Sequence, residues 1–166
     1  MSNRFSRARA AALLAFSLMA GSVHVAQAEG VKPTVSASGV IAARSAYGLE
    51  ETVARLKKDV AAKGITFFQE IDQAALAAKA GIPLKPSMLL IFGNPPLGAQ
   101  FITANPQAGL DWPVRMLVYR DDAGAVWVAY ADFGWIARRH GVTSRDAQFN
   151  TASEVAASIV SSVSTR

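Results

Sequence analysis

Apolar positions along the chain alternate between helical and strand spacing, and this predicts most of its elements. The stretch Thr34 to Tyr47, with Val35, Val40 and Ile41 among small residues, reads as a first strand. From Leu49 the apolar positions Leu49, Val53, Leu56 and Val60 fall at steps of four, three and four, one stripe of a helix. Glu51 and Arg55 can pair across a turn of it, and Gly64 supplies its stop. Ile65, Phe67 and Ile71 then alternate with Thr66 and Glu70 among β-forming residues, which predicts a second strand over Ile65–Ile71. A short alanine-rich helix follows from Asp72 to Ala80.

Gly81 and Pro83 end that helix, and Met88 to Phe92 is an unbroken apolar run, as expected of a strand buried on both sides or central in a sheet. Gly93, Asn94, Pro95 and Pro96 close it, and the second proline opens a short helix through Ala104. A loop carrying Pro106, Gly109 and Pro113 leads to Val114–Arg120. The turn residues Asp121 to Gly124 then separate it from Ala125–Tyr130, the signature of an antiparallel hairpin. The last pieces are a short helix over Asp132–His140 and a terminal helix from Thr151, where Thr151 and Glu154 have capping-box spacing and Val155, Ile159 and Val163 continue the stripe. Helices between the early strands permit parallel crossovers, but the hairpin demands an antiparallel pair. The expected fold is α+β: a single two-layer domain, with a mixed or mainly antiparallel sheet of about five strands and helices packed on it.

The first residues follow a different logic. Arg4, Arg7 and Arg9 precede an apolar run from Ala10 to Ala20, and Ala26-Gln27-Ala28 is the small-x-small pattern that signal peptidase cuts. The run is broken by Ser17, Gly21, Ser22 and His24 and falls short of the roughly 20 apolar residues of a span, so no stable membrane anchor is expected after cleavage. The expected organisation is a signal peptide over 1–28, a polar tether over 29–34 and one domain over 35–166, placing the mature protein in the periplasm or outside the cell. This changes the reading of charge. The whole chain carries +5, but removing three arginines and no acids leaves fourteen basic and twelve acidic residues, or +2. Lys57, Lys58 and Lys63 alternate with Glu50, Glu51 and Asp59, a solvated helix face rather than a nucleic-acid-binding one. A chain of 166 residues that is 51% apolar can bury a core without staples, and the absence of cysteine excludes disulfides, thiolate metal sites and thiol chemistry.

Three blocks carry a resemblance: Leu90-Ile91-Phe92-Gly93-Asn94-Pro95-Pro96-Leu97-Gly98, Gly109-Leu110-Asp111-Trp112-Pro113-Val114-Arg115 and Val126-Trp127-Val128-Ala129-Tyr130. In order and spacing the chain resembles the bacterial and archaeal family known as domain of unknown function 302, a likeness that also takes in Leu49–Leu56 and Ile71-Asp72. The resemblance implies a compact α+β domain, a homodimer, frequent export and no established activity. Many similar exported members read Asp-His after the second strand, whereas here Asp72 is followed by Gln73, which removes the imidazole from that point.

Candidate chemistry is sparse. The turn Gly93-Asn94-Pro95-Pro96 leads from a strand into a helix, where free N–H groups and the Asn94 amide could hold a carboxylate or phosphate of a small anionic ligand; the same residues are also ordinary turn and helix-opening residues. It lacks the glycine pattern and lysine of a nucleotide-binding loop. Asp111 and Arg115 flank Pro113 and can form a fixed ion pair, or Arg115 can face an anion. The ligand-binding set expected from these patterns is Gly93, Asn94, Arg115, Asp72 and Asp111, with Asn94, Arg115 and Asp72 lining one pocket. An enzyme would have to use Asp72 or Asp111 as an acid/base group, since Asp121 and Asp122 lie in a solvated hairpin turn. His140, the one histidine left after cleavage, ends a short helix, where cations bond the last carbonyls; as a haem ligand it would supply a single axial position. No closed metal site is expected and no cofactor is required. With the homodimer that the resemblance implies, the expectation is a homodimeric ligand-binding or interaction module, with the carboxylate enzyme and the haem protein as alternatives.

Overall fold

A computed structural model describes residues 34–164. The chain runs through β1 (Thr34–Val35), β2 (Val40–Arg44), α1 (Leu49–Ala62), β3 (Thr66–Asp72), α2 (Gln73–Lys79), β4 (Ser87–Gly93) and α3 (Pro95–Ala104). A 3₁₀ helix over Pro106–Leu110 then leads to β5 (Val114–Arg120), β6 (Val126–Ala131), α4 (Phe133–Arg139) and α5 (Asp146–Ser161). The expected signal peptide and nearly all of the tether lie outside the described residues.

The α+β expectation holds. The six strands form one sheet in the order β1-β2-β6-β5-β4-β3, and every neighbouring pair is antiparallel. The extra strand arises because the first segment folds back at Ser36–Gly39 into a short hairpin instead of running straight through. Strand alternation gives the sheet two different faces. On one, Leu90 stands opposite Met116, and Val118 opposite Val128, all four fully buried. The helices cover this face. Leu49, Val53, Leu56 and Val60 turn inward from α1, as their spacing predicts, and Phe149, Ala152, Ala156 and Ile159 do so from α5. α1 joins β2 to β3, the far edge of the sheet, and so crosses the layer. Its N-terminus is pinned inside. The hydroxyls of Ser45 and Thr52 lie 2.7 Å apart; Thr52 donates to the Gly48 carbonyl, and Ser45 reaches the Val163 carbonyl at 3.3 Å.

The other face carries a row formed by Ile71, Leu89, Leu117, Ala129 and Ala42 across five strands, of which Ala129 alone is buried. α1, α3, α4 and α5 all contribute to the core on the opposite side, and α2 buries no side chain. β4 therefore lies inside the sheet, between β5 and β3, with Met88–Phe92 an unbroken apolar run as expected, yet its core cover of helices is on one face only.

The terminal helix starts at Asp146, five residues before the expected Thr151. Thr151 makes no capping box: its hydroxyl donates to the Ala147 carbonyl one turn back, as a threonine within a helix does. In the β5–β6 turn Asp121 accepts from the Trp127 indole N–H at 2.7 Å and the Ala125 N–H at 2.8 Å. The indole bond, with smaller help from the backbone N–H groups and against some desolvation, holds the carboxyl below its ordinary value of 3.8. A carboxyl so lowered stabilises the fold fully above that ordinary value and loses its contribution as pH falls through the folded pKa. Thermal midpoints of wild type and Asp121→Asn are accordingly expected to differ near about pH 6 and to converge toward about pH 2. A gap that stays constant over that range contradicts this role.

Candidate functional site

The turn from β4 into α3 is built by Asn94, whose Oδ1 accepts from the Leu97 N–H at 3.2 Å. Its carbonyl takes the Gly98 N–H at 2.9 Å. Pro95 and Pro96, the first two residues of α3, have no N–H to offer. Of the four N–H positions that a helix start leaves without an intrahelical partner, the two prolines have none and that of Leu97 is taken by Asn94 Oδ1, so the turn has only the Asn94 N–H to offer in place of the several free donors expected at Gly93-Asn94-Pro95-Pro96.

The turn serves another purpose. A Cβ at Gly93 would fall 2.4 Å from Cη2 of Trp112, and one at Gly98 would fall 1.8 Å from its Cε2. The indole therefore lies in the space that side chains would fill. Phe101 meets it edge-on at 6.5 Å and stacks on Phe149 of α5 at 4.3 Å. Between Trp112, Phe92, Leu97 and the α5 residues Ala152, Ala156 and Ile159 is a cavity of ≈ 30 Å³ with a wholly apolar surface. It shares Ile65, Asn94, Leu97 and Val155 with an outer groove of ≈ 440 Å³ that also presents Lys63, Thr151, Glu154 and Ser158. An apolar pocket with a few polar groups at its mouth is the usual form of a small-molecule site.

A second cluster adjoins it through the chain. The Asp111 carboxylate, 8% exposed, lies 2.6 Å from Nε2 of His140 and accepts from Arg139 at 3.1 Å and from Arg115 at 3.3 Å. Arg115 also donates to the Leu110 carbonyl, and the His140 carbonyl accepts from Asn105 Nδ2 at 2.7 Å. The expected Asp111–Arg115 pair is present. Arg139 and His140 were not expected in it, because they lie 28 and 29 residues away in sequence. His140 caps α4 through its backbone N–H, whereas its ring, expected to bond the last carbonyls, is buried with Nε2 against a carboxylate, an arrangement unsuited to a haem ligand.

Asp72 belongs to neither cluster. It caps α2, accepting from the Ala75 N–H at 2.8 Å, beside a groove with Glu50, Glu70 and Leu84. Asp72 pairs with Met88 and Gly93 with Thr66, so about 17 Å of strand separates Asp72 from the Gly93 turn. Arg115 pairs with Ile91 on the open face of the sheet. Asn94, Arg115 and Asp72 therefore do not line one pocket. Asp72 and Asp111 also lie toward opposite ends of the sheet, more than about 13 Å apart along β5, too far to act as an acid/base pair.

An antiparallel sheet with helices on one face defines the class, and the family follows. Residues 41–164 match the domain of unknown function DUF302, and the chain belongs to that family. Its fold resembles the crystal structure of an uncharacterised conserved DUF302 protein from Bacillus stearothermophilus, with a TM-score of 0.70 and 16% identity over 76% of this chain and 99% of that one. Proteins named fluoride-specific ion channel FluC 1 from Brucella suis and Brucella abortus are each 35% identical over 105 residues, 63% of this chain and 41% and 39% of theirs. The chain spans about two fifths of the length of these curated relatives. Among the described residues no helix is long and apolar enough to cross a membrane.

The seat of Trp112 is directly testable. Gly98→Ala is expected to cost about 1–3 kcal/mol, the usual penalty of overpacking, and to shift tryptophan emission to the red as the indole is displaced. Gly109→Ala, whose Cβ would meet only Ile102 at 3.9 Å, is expected to do neither. Unchanged emission in Gly98→Ala contradicts the packing described.

Proposed function

We propose that this protein is an exported, homodimeric binding module whose site is the cleft beneath Trp112. The observation that carries the reading is the apolar cavity at the β4–α3 turn, widening into a groove edged by Lys63, Asn94, Thr151 and Ser158. That combination suits a small amphipathic molecule with its alkyl end inside and its polar end at the mouth. A bare anion such as fluoride finds no donor on the apolar wall, so the ion named for the Brucella relatives is not read as this chain's ligand. The occurrence of a similar segment as two fifths of those longer proteins supports a module that serves larger assemblies. Export rests on the basic start, the apolar run and the Ala26-Gln27-Ala28 pattern.

The second copy is assigned to the open face of the sheet. Five strands at about 4.8 Å and about 20 Å of length give a footprint of about 500 Å². The corrugation of Leu89, Leu117, Tyr119 and Trp127 raises this toward the ~800 Å² per partner of a stable dimer. Burying such a row between two copies completes the cover of side chains that a monomer leaves half-buried.

Sedimentation is expected to show a dimer at micromolar concentration, weakened about a hundredfold or more by Leu117→Lys, which would bury an unpaired charge. Titration with 1-hexanol, followed by amide shifts, is expected to perturb Ile65, Gly93, Leu97 and Val155, and Ala156→Phe should abolish those shifts. A monomeric wild type contradicts the assembly, and shifts absent from the cleft contradict the site.

A further inference from the structure

The segment Asn105–Pro113 leaves α3, turns through the 3₁₀ helix and delivers Trp112 to the cleft. Its attachment to the rest of the molecule is concentrated in a few groups. Of its nine residues Ala108 alone is buried as a whole, and Leu110 is 64% exposed. Both ends are fastened to one residue, His140. Asn105 Nδ2 donates to the His140 carbonyl at 2.7 Å, and the Asp111 carboxylate lies 2.6 Å from the His140 ring. Arg139 of α4 and Arg115 of β5 complete the fastening around Asp111.

Resting on the reading of the cleft as a binding site, we infer that Asn105–Pro113 is a strap buckled on His140, and that its release at Asp111 lifts Trp112 and admits the ligand. Three features make this segment the one that moves. Asp111 and Trp112 are consecutive, so the buckle sets the position of the ring that walls the cavity. The bed under the ring is glycine at both Gly93 and Gly98, so on that side the indole rests on backbone and no side chain interlocks with it as it leaves. The Arg115 and Arg139 side chains around the buried Asp111 carboxylate remain 51% and 43% exposed, so water can take over the guanidinium bonds that break. Asp111 and His140 act here as positioning residues.

Two substitutions test the strap without removing its bulk. Asp111→Asn keeps the shape of the buckle but not its charge. Asn105→Asp keeps the Oδ1 that accepts from the Gln107 N–H and removes the donor to His140. In the ligand-free protein, deuterium exchange over Gln107–Trp112 is expected to rise about tenfold in either variant while β4, β5 and β6 stay protected. The association rate of 1-hexanol should rise with it. Unchanged exchange in the segment overturns the inference, as does a uniform rise over the core strands, which would mark a merely structural contact. Hexanol binding at an unchanged rate despite a loosened segment removes the gate alone. Failure of hexanol to bind wild type and both variants removes the binding reading, and the gate with it.

Discussion

The indole of Trp112 lies where side chains at positions 93 and 98 would otherwise be, and much of the helical side of the molecule is arranged around that substitution of one ring for two Cβ atoms. It requires glycine at the end of β4 and again in the first turn of α3. It brings Phe101 and Phe149 into one aromatic stack that joins α3 to α5. It also leaves an apolar void that the small residues Ala152 and Ala156 of α5 do not fill. A close-packed core leaves little such space, and this one lies beside a polar-edged groove, which is the ground on which ligand binding is proposed.

The sheet sets the second constraint. Alternation makes both of its faces apolar in the central strands, while the helices cover one of them. A domain without cysteine draws its stability from burial, and a half-buried apolar row is surface that it has only partly used. The proposed second copy on that row and the proposed ligand in the cleft would answer the same shortage of cover, on opposite sides of the sheet. The Asp111 cluster lies at the edge between them, where the α3–β5 connection meets the end of α4, and it ties the two together by charge, with Arg115 reaching it from the open face.

What the sequence made legible was local. The four–three–four spacing of Leu49, Val53, Leu56 and Val60 needs only a helix to be read, and the turn at Asp121–Gly124 needs only two strands. The turn at Gly93-Asn94-Pro95-Pro96 was located correctly, but how many helix N–H groups stay free there depends on the cap actually formed, and Asn94 Oδ1 takes the Leu97 donor that the prolines leave. The start of α5 was missed since Arg145 provides no side-chain cap to announce it. His140 and Arg139 reach Asp111 only after β5, β6 and α4 have folded back, and no spacing rule spans that distance. The Gly93–Gly98 bed for Trp112 had a trace in the sequence, two glycines five residues apart beside a later tryptophan, but only the fold gives it meaning.

Native mass spectrometry of the protein isolated from its own cell envelope tests the central claim most directly, because it reads processing, assembly and retained ligand in one spectrum. The account predicts two chains that begin at Glu29, each carrying one small molecule, with the molecule absent from an Ala156→Phe variant prepared in the same way. A bare monomer from the native envelope contradicts it.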